Sequence, residues 1–162
     1  MRIVVGGDSA GEGLAHVLYE YLSQKEGLTV VDMSHPRGGD KELYSELSER
    51  VCLSIIDGEF DRGILCCGTG IGVCMSANKI PGIRAAQTHD TYSAERAALS
   101  NDAHIITMGA RVIGAELAKV IADAWIMKSF DPKSASAKNV AGVDALGRKY
   151  GGKAGREDKL AC

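Results

Sequence analysis

Gly63-Ile64-Leu65-Cys66-Cys67-Gly68-Thr69-Gly70-Ile71-Gly72 is the stretch whose reading decides the fold. An apolar run that stops at two cysteines, and then at glycines spaced by single residues, reads as a buried strand ending in a loop of nearly bare backbone. Without β-carbons, successive N–H groups can converge on one point and a ligand can approach them closely. The helix expected after Ile71 aims its positive end at the same place. Cys67 stands at the strand tip facing that point, where neighbouring amides favour a thiolate and make it a candidate base or nucleophile. Packing alone also accounts for the pattern, because glycine turns follow many α/β strands and cysteine is commonly buried. The loop has neither the Gly-Lys-Ser/Thr ending of a P-loop nor the glycine spacing of a dinucleotide fingerprint, which argues against a nucleotide.

On the N-terminal side, residues 2–7 read as a first strand, followed by the loop Asp8-Ser9-Ala10-Gly11 and helical spacing over 14–22. Asp8 sits where a carboxylate faces a ligand crevice or caps a helix; both readings stand. Residues 28–33 form a second strand, 34–40 a loop and 41–57 a helix, with Tyr44 near its start either packed or within reach of a ligand. On the C-terminal side come a short helix over 73–78, a strand over 83–87, a helix over 91–99 and a fifth strand over 105–108. A strong helix follows over 115–128, where Leu117, Val120, Ile121, Ala124 and Trp125 make one apolar stripe and Trp125 belongs to the core. A last helix opens at Phe130 with Pro132 near its first turn and ends near Arg148, leaving 149–162 as a disordered tail.

Five strands alternating with helices specify a flavodoxin-like (Rossmann-like) α/β sandwich around a parallel sheet, most economically in the order 2-1-3-4-5 with an extra C-terminal helix. In that order the loops after strands 1 and 3 flank the switch point, so Asp8 and Cys67 converge. The 162 residues, 45% hydrophobic with a net charge of −2, suit one domain over 1–148. With 19 basic and 21 acidic residues and no basic tract, the chain lacks an electrostatic footprint for nucleic acid or an anionic membrane. No signal-peptide pattern or spanning run is visible, so the cytoplasm is the expected compartment. The five cysteines do not form a disulfide framework, and the scattered histidines space like no metal site.

Several motifs taken together carry a resemblance: Gly7-Asp8-x-Ala10-Gly11, Cys67-Gly68-Thr69-Gly70-Ile71-Gly72, Ala77-Asn78-Lys79-x-Pro81-Gly82-Ile83-Arg84, His89-Asp90-Thr91-Tyr92-Ser93-Ala94, Asn101-Asp102 and Gly109-Ala110-Arg111-Val112-Ile113-Gly114. Over roughly residues 1–145 the chain resembles the ribose-5-phosphate isomerase B and galactose-6-phosphate isomerase family. The resemblance implies cofactor-free aldose–ketose isomerisation of a phosphorylated sugar, in a homodimer or homotetramer with sites shared between subunits. It makes Cys67 the base and not Cys66, whose side chain points to the opposite face of the strand. It also has the amides of residues 68–72 (Gly68, Gly70, Ile71 and Gly72 among them) and Asn101 hold the enediolate, Thr69 relay a proton and Asp8 bind sugar hydroxyls.

The departures from the family pattern are informative. Ser100 stands where the family has the histidine thought to open the sugar ring, and Ser9 replaces another histidine. Lys133, Ser134, Ser136 and Lys138 stand in the region of the phosphate-binding arginines, while Arg111 is kept. Lysine binds phosphate as a point charge without the arginine fork, and a solvated helix-face charge is the other reading of each of these lysines. A tetrose 4-phosphate has its O4 esterified and forms no furanose, so the D-erythrulose 4-phosphate and D-erythrose 4-phosphate pair rivals ribose 5-phosphate as substrate. Otherwise His89, or a water held by Ser100, must open the ring. A non-catalytic flavodoxin-like module is the remaining alternative. A receiver domain would need an aspartate where Cys67 stands, and a flavin carrier would need aromatic rings beside residues 68–72.

Overall fold

The computed structural model describes residues 1–36, 38–39 and 42–151. The elements run β1 (Arg2–Gly7), α1 (Glu12–Ser23), β2 (Thr29–Asp32), α2 (Tyr44–Ile56), β3 (Arg62–Cys67), α3 (Ile71–Ala77), β4 (Ala85–Gln87), α4 (Thr91–Leu99), β5 (Ile105–Gly109), α5 (Ala115–Ile126) and α6 (Ala137–Tyr150). Arg37, Asp40 and Lys41, from the expected loop and second helix, lie outside the described residues, as does the expected tail from 152 onward. Among the described residues no helix is long and apolar enough to cross a membrane.

All strand pairs are parallel, and the order is β2-β1-β3-β5-β4, a flavodoxin-like arrangement. The expected order had the last two strands exchanged. Burial explains the correction: β5 is covered along its whole length, whereas β4 is three residues, Ala-Ala-Gln, and partly exposed. The longer apolar strand takes the interior position beside β3, and the short polar-ended one takes the edge.

That edge is capped from within the chain. The Asn78 side chain donates from Nδ2 to the Ala85 carbonyl at 2.9 Å and accepts the Ala85 N–H at 3.0 Å, pairing with β4 as a neighbouring strand would. Asn78→Ala, which removes both bonds, should cost about 1–3 kcal/mol in urea unfolding.

Alternation along the central strands divides the interior into two layers. Ile3, Val5, Ile64, Cys66, Ile106 and Met108 pack with α1, α4 and α5, while Val4, Leu65, Cys67 and Ile105 pack with α2 and α3. Trp125 is fully buried as expected, with the Arg62 guanidinium 5.0 Å from its ring centroid. The stripe on α5 is rotated from the one expected: Leu117 and Val120 are exposed, and Ala118, Ile121, Ala122 and Trp125 face inward. Ala118 and Ala122 share that layer with Ala94, Ala97 and Ala98 of α4, and such small side chains let the two helices approach closely. The last helix begins seven residues after Phe130, because Asp131 takes the local N–H groups into a turn. Its side chain accepts from Lys133 at 2.8 Å and its carbonyl from Ser134 at 2.9 Å.

Candidate active site

Parallel strands end together, and here the loops after β1, β3 and β5 pack backbone on backbone at that end. The Asp8 N–H donates to the Cys66 carbonyl at 3.1 Å, and the Ala110 N–H to the Cys67 carbonyl at 2.9 Å. Gly11 lies so close to the Cys66–Cys67 peptide that a β-carbon there would overlap the Cys66 carbonyl. Asp8 is thereby fixed beside β3. Its Oδ1 accepts the N–H groups of Ala10 and Gly11, each at 2.9 Å, while Oδ2 has no partner among the described residues. A carboxylate can close its own loop and still present a free oxygen.

Cys67 ends β3 at 5% exposure, in the apolar layer with Leu47, Leu65 and Val73. Its Sγ accepts the Gly70 N–H at 3.0 Å. Gly70 makes this approach possible by adopting φ +80°, a left-handed turn that favours glycine, immediately before α3. Cys66 lies in the opposite layer, fully buried, and burial pushes its thiol up, as it pushes that of Cys52 up to about 12. Cys74 sits on α3 with its sulfur 3.6 Å from the Ala85 carbonyl.

The amides of the loop divide into two groups. Gly70 donates to sulfur, and Ile71 donates to Thr69 Oγ1 at 3.3 Å. The N–H groups of Gly68, Thr69 and Gly72 have no acceptor among the described residues, which leaves three donors for an external oxygen. The Tyr44 ring lies against Gly72, and the Arg111 guanidinium against Gly68, where a β-carbon would come within 3.4 Å of it. Arg111 is exposed and has no ion-pair partner among the described residues. Asp8 and Ser9 line a cleft of about 410 Å³ with Glu12, Ser34, His35 and Glu42. A larger hollow of about 640 Å³ between β2 and α2 contains none of the expected site residues.

Asp8, Ser9, Tyr44, Cys67, Gly68, Thr69, Gly70, Ile71, Gly72, His89 and Arg111 thus gather at one end of the sheet. His89 is tied down: its Nε2 accepts the Gly109 N–H at 2.9 Å. Ser100, Asn101, Lys133, Ser134 and Lys138 lie elsewhere. Ser100 caps the C-terminus of α4, and Asn101 precedes β5, whose five residues separate it from Gly109 by about 13 Å or more. Asn101 lines a hollow of about 330 Å³ with Arg84 and with Asn139, Val140 and Val143 of α6, the helix that also carries Lys138. Arg84 clamps this end, pairing with Asp102 at 2.6 Å and with Asp144 at 2.8 Å.

Two residues that support the Cys67 loop went unrecognised in the sequence. Thr107 Oγ1 donates to the Gly70 carbonyl at 2.9 Å, and Gln87 Nε2 donates to the Thr69 carbonyl at 2.7 Å. Thr107 was findable, since a polar residue inside a buried strand needs a partner. Gln87, at a strand tip, had no such signal.

An arrangement with a nearly dry thiol, unpaired amides and a free carboxylate oxygen at one strand end can take a proton from carbon and hold the resulting oxyanion. The chain matches the family described as Ribose/Galactose Isomerase over residues 3–143. It is 51% identical over 131 residues to the D-erythrulose-4-phosphate isomerase of Pectobacterium atrosepticum, covering 81% of this chain and 86% of that one. It is 47% identical over 138 residues to the ribose-5-P isomerase B of Listeria innocua, covering 85% and 92%. The solved structure of Clostridium thermocellum ribose-5-phosphate isomerase B superposes with a TM-score of 0.84 at 35% identity, covering 93% of this chain and 99% of that one. The chain therefore belongs to the ribose/galactose isomerase family and is a sugar-phosphate aldose–ketose isomerase.

Proposed function

We propose that Cys67 is the base that moves the proton between C1 and C2, and that the substrate is the four-carbon pair D-erythrulose 4-phosphate and D-erythrose 4-phosphate. The thiolate removes a proton from the carbon beside the carbonyl, and the electron pair passes to oxygen as an enediolate. The free N–H groups of Gly68, Thr69 and Gly72 stabilise that oxyanion. The proton then returns to the other carbon, while a hydroxyl proton crosses between O1 and O2 through the Thr69 hydroxyl. Nothing is oxidised or reduced overall. The Asp8 Oδ2 receives sugar hydroxyls, and Arg111 supplies positive charge for the phosphate.

Support for a ringless substrate comes from the histidines. Ser100 and Ser9 replace two family histidines, and the two that remain near the cleft are engaged: His89 Nε2 by the Gly109 N–H, and His35 Nε2 by Glu12 at 3.1 Å. Each of these rings has its Nε2 committed to the protein, and the likeness to the Pectobacterium enzyme points the same way. Ribose 5-phosphate is the second reading, favoured by the 47% identity to the Listeria enzyme.

Since Asn101 stands about 13 Å or more from the Gly109 end of the sheet where Cys67 lies, and the helix carrying Lys138 lines the same hollow as Asn101, a second copy supplies Asn101, Lys133, Ser134 and Lys138, in a cytoplasmic homodimer with shared sites. Purified protein in heavy water, offered four-, five- and six-carbon sugar phosphates, should incorporate deuterium fastest with erythrulose 4-phosphate. A kcat/KM for ribose 5-phosphate more than tenfold higher would overturn the four-carbon assignment. Sedimentation at micromolar concentration should give a dimer or larger.

A further inference from the structure

The peptide group that meets the Cys67 sulfur is gripped from its other edge. Thr69 C=O and Gly70 N–H belong to one planar unit and point in opposite directions. The N–H donates to Sγ at 3.0 Å, and the C=O accepts from Gln87 Nε2 at 2.7 Å. The following unit is held separately, its Gly70 carbonyl accepting the Thr107 hydroxyl at 2.9 Å. Gln87 and Thr107 are register partners on β4 and β5, and Thr107 is in turn the partner of Leu65, two residues before Cys67. Residues paired in register and those two apart along a strand share a face, so all three functional side chains stand on the same side of the sheet.

We propose that Gln87 is a positioning residue for the isomerase reaction, orienting the Thr69–Gly70 peptide so that its N–H stays on the Cys67 sulfur. This rests on the reading of Cys67 as the base. Thr69 packs closely against the Gly109 backbone, but Gly70 has no side chain to resist rotation, so the hydrogen bonds at the unit's two ends set the direction of its N–H. Thr107 grips the next carbonyl along and cannot substitute. A donor on the carbonyl also polarises the amide and strengthens its N–H as a donor to an anion. Gln87 is exposed, on the edge strand, and belongs to neither apolar layer, so its amide can be removed without opening the core.

The test uses the full chain with Gln87→Met, which keeps the length and loses the donor, and Gln87→Asn, which is one methylene too short to reach. Iodoacetamide labelling of the Cys67 peptide is followed by mass spectrometry at pH 7 and pH 10, alongside steady-state kinetics. Labelling at pH 7 should slow about fivefold in both variants and stay within twofold at pH 10, where every accessible thiol is ionised. The value of kcat should fall about tenfold with KM within twofold. Labelling at pH 7 and kcat both within twofold of the parent would overturn the proposal, as would equal slowing at both pH values, which reports access and not orientation. Labelling needs no substrate, so it stands apart from the base assignment, which fails separately if Cys67→Ala still turns over.

Discussion

Cys67→Ala should lower kcat by about 10³-fold while substrate still binds, because the variant loses the proposed proton acceptor and keeps the free amides, Arg111 and Asp8. The expected loss follows from what a positioned base contributes to removing a proton from carbon. Turnover by coupled assay and deuterium incorporation from heavy water should disappear together, while isothermal titration still detects the sugar phosphate. Cys66→Ala is the matched control. Its side chain is fully buried in the opposite layer, so its loss should cost about 1 kcal/mol of stability and leave kcat within about threefold. If Cys67→Ala kept more than a tenth of parental turnover, the thiol would not be the base. Equal losses in both variants would mean that the strand, and not the sulfur, had been damaged.

The second large effect belongs to a residue without a side chain. Gly11→Ala would drive a methyl into the Cys66 carbonyl and bring it to 2.6 Å from the Cys67 nitrogen, and neither backbone atom can yield without moving β3. We expect a loss of about 3 kcal/mol or more by urea unfolding, with activity falling further than the folded fraction, because the displaced loop carries Asp8. Gly13, two residues on and in the first turns of α1, has nothing within 4 Å of its would-be β-carbon. Gly13→Ala should therefore stabilise the protein by about 0.5–1 kcal/mol, since alanine is the better helix former. Equal effects at the two positions would exclude close backbone approach as the cause.

Much of this arrangement was legible along the chain. The apolar run into Cys66-Cys67-Gly68 marked β3, and alternation alone separated the two thiols onto opposite faces. The motifs around Asp8, Cys67, His89 and Arg111 carried the family. What misled was any reading that depended on a neighbour distant in sequence. The stripe on α5 included Leu117 and Val120 because periodicity finds an apolar face without saying where α4 lies. Pro132 suggested an early helix start, whereas Asp131 held the turn.

Residue order determined which segments are strands and helices, that the strands run parallel, and which thiol ends the third strand beside the glycine loop. Those properties follow from periods of two and 3.6 residues and from glycine, all local along the chain. Folding in three dimensions decided that β5 and not β4 sits beside β3, that Gly70 spends its amide on sulfur, and that Gln87 holds the far edge of the same peptide. It also decided that Asn101 and α6 stand away from Cys67. Such pairings depend on competition among distant surfaces for burial and hydrogen bonds, which no short window of residues encodes.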